Sequence, residues 1–257
     1  MRYPYLIFLA FIVCSLTAVA QIPKPVEHAL TAENVAEGTE FFVAIPPNEL
    51  NPFPTNTLAI YICSAFDTKV EVEDYSTGQI ATYQVAKNVI RKLTDANGGT
   101  SWNWELRESE QVLLNGIGIR SAKRISVYVL NSKQTSSDGY MAIPTSAWDK
   151  EYIHVGYYDF REVRPWAGGF VVVAKEDNTM LSIDLKGVGT SLAKTADGRT
   201  INTGVPISVT LNTGEVYLVK GDGATRGVFD LTGTKITATR PIGVISFHER
   251  TTMPNML

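Results

Sequence analysis

The sequence predicts an all-β fold, and three observations lead to it. Past residue 20, a helical period is nearly absent. Short β-branched and aromatic runs are separated by Gly, Asn, Asp and Pro. Several of these runs alternate apolar with polar residues, as a strand with one dry and one wet face requires. The 257 residues are 44% hydrophobic and 19% charged, too apolar for a disordered chain and too interrupted for a multi-span membrane protein.

At the amino end, Arg2 opens a short positive region, and Tyr5 through Val13 form an apolar run. Ala18 and Ala20 then make an A-x-A pattern ahead of Gln21. The run is too short to span a bilayer, so residues 1–20 are expected to be a signal peptide cleaved after Ala20. No stop-transfer pattern follows to favour an anchor, and Val13 is branched where a lipoprotein site at Cys14 wants a small residue. The mature chain then carries 22 basic and 26 acidic residues with no basic run, which disfavours phosphate-backbone binding. It keeps only Cys63, within the run Leu58–Ile62, where it is expected as a small buried hydrophobe and not a nucleophile.

Residues 21–37 are expected to lead into the first strands. Val70 and Val72 alternate with Glu71 and Glu73, and Ile207 and Val209 with Ser208 and Thr210. Phe170–Ala174 is continuously apolar, as expected of a strand covered on both sides. Turns are expected at Asn97-Gly98, Asp138-Gly139, Asp197-Gly198, Asn212-Thr213-Gly214 and Gly221-Asp222-Gly223. Short helical turns are expected only around Ala29–Ala36 and Ala86–Leu93.

The chain also resembles itself. Leu114, Gly116, Ile119, Ile125 and Val127 align without a gap onto Leu231, Gly233, Ile236, Ile242 and Val244. Asp67–Val72 matches Asn178–Ile183, and Ala44-Ile45-Pro46 recurs as Ala142-Ile143-Pro144. Two related modules are therefore expected in tandem, over 38–132 and 133–257, each a β-sandwich, with a propeller-like arrangement of short sheets as the alternative. The spacings 98 (Ala44 to Ala142) and 111 (Val70 to Leu181) place 13 extra residues in the second copy, around Tyr157–Gly169.

The second copy carries a succession of motifs: Trp148-Asp149-Lys150-Glu151-Tyr152, Ala174-Lys175-Glu176-Asp177-Asn178-Thr179, Asp230–Ile236, and Arg240-Pro241-Ile242-Gly243-Val244 with Phe247-His248. It resembles the IgGFc-binding protein N-terminal domain family. The resemblance spans most of Gly38–Pro254 and is blurred in the first copy. It implies an extracellular, non-enzymatic binding or adhesion module within a larger surface protein. Cysteine-rich animal members differ from this chain, which is similar to bacterial relatives, so antibody binding does not carry over. In the family a further unit would follow Leu257, and the chain is expected to be a truncated piece.

No catalytic residue, metal ligand or cofactor is expected. His28, His154 and His248 lack metal-ligand spacing; His154 is expected on a strand surface, and His248 and Glu249 point to opposite faces. Glu71 and Glu73 share a strand face, which reads as a solvated face more readily than as a glycosidase pair. The candidate ligand-binding residues are Trp102, Trp104, Tyr157, Tyr158, Phe160, Arg164 and Trp166, because exposed rings stack on sugars or anchor protein partners. The expected partner is an extracellular protein or glycan, not nucleic acid. Membrane contact is expected only through the leader. A carbohydrate-active enzyme or accessory module, and a structural stalk, are the rival functions.

Overall fold

The computed structural model describes residues 36–49, 57–94, 104–133, 136–157, 166–189, 194–222 and 229–251. The leader and all but the last residue of the expected turn at Ala29–Ala36 lie outside them. Residues 34–257 form one compact unit. It is all-β, and no helix among the described residues is long and apolar enough to cross a membrane.

The first sheet contains β1 (Gly38–Val43), β2 (Thr57–Cys63), β3 (Thr68–Asp74), β4 (Gln79–Val85), β5 (Arg91–Thr94), β7 (Ile117–Ser132) and β8 (Ser137–Met141). A two-residue strand, β6 (Val112–Leu113), precedes β7. The second sheet is made by β9 (Asp149–Ile153), β10 (Gly168–Ala174), β11 (Thr179–Asp184), β13 (Ile207–Leu211), β14 (Val216–Lys220) and β16 (Lys235–His248), with β6 added at its edge. β12 (Val188–Gly189) and β15 (Phe229–Asp230) form a small separate ribbon.

Each sheet is organised by one long strand that serves two layers. β7 pairs through Ile117–Ser121 with β3 and through Ser126–Ser132 with β2. Between these stretches, Ala122–Arg124 are exposed, while Ile117, Ile119, Ile125, Val127 and Val129 all point into one core. β16 does the same with β11 and β10, and Thr239 and Arg240 are exposed at its bend. The strand order is β4-β3-β7-β2-β5 in one sheet and β13-β11-β16-β10-β14 in the other. The two halves thus share connectivity.

Register makes the correspondence residue by residue. Phe41 faces Ile119 and Val72 faces Ile119; Tyr152 faces Ile236 and Ile183 faces Ile236. The spacing is 111 from Phe41 to Tyr152 and from Val72 to Ile183, and 117 from Ile119 to Ile236. This corrects two expectations. Ala44-Ile45-Pro46 follows β1, but Ala142-Ile143-Pro144 follows β8, so they are not equivalent positions. The equal spacing of 111 before residue 154 and after residue 167 leaves no 13-residue insertion between them. Val72 faces Ala81 and Ile183 faces Ile207, so the extra length lies between β11 and β13 instead. A three-residue match is weak evidence against a register fixed by whole ladders of backbone bonds. The expected helical turn at 86–93 is a tight turn feeding β5, with Asn88 at φ 59 and Asn88 N donating to Ser64 O.

Phe41, Ile60, Val72, Ile119 and Val127 centre one apolar core, and Phe170, Ile183, Tyr217, Phe229 and Ile236 the other. Every residue of Phe170–Ala174 is buried, as a strand covered on both faces must be. Its odd-numbered valines, Val171 and Val173, join Phe42, Ala44, Leu106, Val216, Leu218 and Phe247 in a third core between the sheets. Full burial of such side chains contributes roughly 1.5–3 kcal/mol each, which ties the halves together.

Candidate functional site

Beside that third core, a cleft opens between β8 and the second half of β16. It comprises a cavity of about 260 Å³ and a narrower one of about 40 Å³, which share Tyr140, Ile245 and Ser246 as lining. Asp138–Ile143 line one side in unbroken succession, and Gly243–Phe247 the other. A strand face would present alternate residues, so unbroken runs mean that the cleft follows two strand edges.

The wide end is floored by aromatic rings. Trp148 lies against the backbone of Gly243, where a Cβ would come within 2.7 Å of the indole. Its Nε1 donates to Ile143 O at 3.1 Å, and its ring meets Phe42 edge-on at 6.4 Å. Tyr152 Oη donates to Ile242 O at 2.9 Å, and burial raises its pKa. In the middle, Tyr140 Oη donates to Ala44 O at 2.6 Å, and burial holds this phenol well above its usual range.

The narrow end is polar behind an apolar lip. Glu105, itself buried, accepts from Asn48 N at 2.8 Å, Asn131 Nδ2 at 3.2 Å, Arg107 Nη2 at 2.6 Å and Lys133 Nζ at 3.2 Å. Asn131 Nδ2 also donates to Pro46 O at 3.0 Å. Asn131 is 4% exposed and lines the cavity, and its Oδ1 is buried without a hydrogen-bond partner. Next to Asn48, Glu49 accepts from Arg250 Nη1 at 2.7 Å, and the Arg250 guanidinium lies 4.6 Å from the centroid of the Trp166 ring.

Ser246 is exposed in the cleft, with its Oγ 2.9 Å from His154 Nδ1. His154 is not on a strand surface as expected. It is 2% exposed and packs on Phe170, and burial lowers its pKa to about 4 despite the opposing charge of Asp230. A hydroxyl beside an imidazole is the start of a nucleophile–base pair. A base this weak is poorly matched to neutral pH, and Asp230 Oδ1 accepts instead from Thr232 N and Oγ1, both at 2.7 Å. The arrangement suits binding better than acyl transfer.

The expected aromatic candidates are placed as follows. Trp104 is 1% exposed in the first core and donates from Nε1 to Asp74 Oδ2 at 3.2 Å, so its ring presents no face to a ligand. Trp166 is 8% exposed, with Arg250 over its ring. Tyr157 is half-buried. Trp102, Tyr158, Phe160 and Arg164 lie outside the described residues. Glu71 and Glu73 do share a face, but Arg120 Nη1 lies 3.8 and 2.8 Å from them and its Nε 3.5 Å from Glu40. That guanidinium engages both carboxylates of the pair, Glu73 more closely. Cys63 is half-buried at the end of β2. The cleft residues Tyr140, Trp148 and Ser246 were not among the expected candidates; the only signal was a tryptophan and a glycine, Trp148 and Gly243, within the family-like motifs.

Residues 138–256 match the family model described as IgGFc binding protein. No curated protein and no solved structure matches the chain.

Proposed function

We propose that this chain, through the segment that matches the IgGFc binding protein family, is an extracellular, non-enzymatic binding module whose ligand contacts the cleft between β8 and β16. One observation carries the reading: both rims of the cleft, Asp138–Ile143 and Gly243–Phe247, fall inside the matched residues 138–256. The shared strand order supports taking the two sheets as copies of one unit in tandem. The expected leader supports export, and the exported protein then begins at Gln21, which mass spectrometry of the secreted product checks.

The test is an array of extracellular proteins and glycans, immunoglobulin G Fc among them, probed with the chain from Gln21 and with Ile143→Trp. Ile143 is exposed at the wide end, so a larger ring obstructs the cleft without entering a core. A ligand bound by the parent and weakened about tenfold or more by Ile143→Trp is expected, equivalent to about 1.4 kcal/mol. Hydrolysis of any glycan on the array, or no ligand at all, removes the reading. A site at half-buried Tyr157 predicts instead that Tyr157→Ala weakens binding and Ile143→Trp does not.

A further inference from the structure

We infer that the ligand of this cleft is an extended polypeptide segment of a partner protein, added as a strand antiparallel to β16. The inference rests on the binding-module reading above and names the chemistry of its partner. Both rims are strand edges. Among the described residues β8 pairs only with β7, and Gly243–Phe247 of β16 pair only with β10. An edge presents a row of backbone N–H and C=O groups that a strand satisfies in register and a rigid small molecule does not.

The first sheet shows what such an edge accepts. There, Tyr128–Ser132 of β7 carry β8 on the side away from β2. At the spacing of 117 that relates the long strands, the positions matching Tyr128–Leu130 are Ile245–Phe247 of β16, and no described strand pairs with them on the side away from β10. The wall facing them is β8 itself. Asp138 and Gly139 share the narrow cavity with Phe247, and Met141–Ile143 share the wide one with Gly243 and Val244, an order that points to β8 running antiparallel to β16 across the gap. A strand antiparallel to β16 therefore lies parallel to β8.

Side chains fit the same occupant. Phe42, Met141, Ile143 and Trp148 give the wide end an apolar lining that takes alternate apolar side chains of a strand. The narrow end adds the polar residues Asn48, Asn131 and Asp138 to the lining.

The probe is a fluorescein-labelled peptide with the sequence of Ser137–Pro144, titrated against the chain from Gln21 by fluorescence anisotropy. Two further versions carry N-methyl groups on alternate residues, one on the odd set and one on the even set, which deletes one row of donors and leaves the side chains intact. Saturable binding is expected, with at least one N-methylated version weakened about tenfold or more, and both where the strand bonds β8 as well as β16. Ile143→Trp is expected to weaken the parent peptide similarly while its melting curve stays that of the parent protein. The inference is overturned if no saturation is reached by about 1 mM, if both N-methylated versions bind like the parent, or if Ile143→Trp binds undiminished. Binding seen only after residues 252–257 are deleted also overturns it, since the occupant is then the chain's own end. An array ligand that Ile143→Trp abolishes and the peptide does not displace defeats the strand inference alone. A bound peptide with no array ligand defeats the module reading alone.

Discussion

His154, set between Phe170 and the hydroxyl of Ser246, converts burial into a dependence of stability on acid. In the unfolded chain the imidazole takes up a proton near pH 6.5, and in the folded protein only near pH 4. Between these values the unfolded state holds a proton that the native state lacks, so stability falls as pH drops through that window and levels off below it. The span corresponds to about 3 kcal/mol. His154→Gln is expected to flatten this dependence, and urea unfolding of both proteins at pH 7.5 and pH 4.5 measures it. At Trp104, the indole N–H shares the Asp74 carboxylate with Ser76, whose N and Oγ bond the other oxygen at 2.9 and 2.7 Å. Trp104→Phe removes that donor from a buried acceptor and is expected to cost about 1–3 kcal/mol, read as a lower urea midpoint with unchanged slope.

Among the elements, β6 and the bend before β7 depend on close backbone approach. Gly116 N donates to Gly214 O at 2.8 Å, and a Cβ on Gly116 would lie 2.5 Å from that oxygen. Gly214 itself has φ +78 and carries the Tyr75 ring directly above it. Gly116→Ala is therefore expected to push β6 off β14 and lower the melting midpoint, while Gly198→Ala, in open space, strains only its own turn at φ +82. Strands of this kind were legible from sequence because alternation and turn residues are local. Val70 and Val72 are buried and Glu71 exposed as their spacing demands, and Asn212-Thr213-Gly214 does turn. The cleft was not legible. Its rims are about a hundred residues apart, and edges are a property of pairing, not of residue type. Ser246 and Gly139 look like any polar or turn residue until the strands beside them are known. The aromatic candidates misled in part for a related reason: a ring near a turn, such as Trp104, faces inward when a buried carboxylate waits for its N–H.

For the whole molecule, the shared core means that the halves stand or fall together. Val171, Val173, Val216 and Leu218 from one sheet meet Phe42 and Ala44 from the other, and Glu49 reaches Arg250 across 201 residues of sequence. A single cooperative calorimetric transition is expected, and Val171→Ala, at a cost of about 2 kcal/mol, is expected to move it without splitting it. A fragment of residues 133–257 alone is expected to expose that apolar face and to lack a sharp melt. The short strand β6 adds a constraint of timing. Leu113 pairs with Val216, which a ribosome adds 103 residues later. At about 5–20 residues per second, the nascent chain waits on the order of 5–20 s with that seam undressed. During synthesis that edge of the first half therefore stays unpaired until its partner strand emerges.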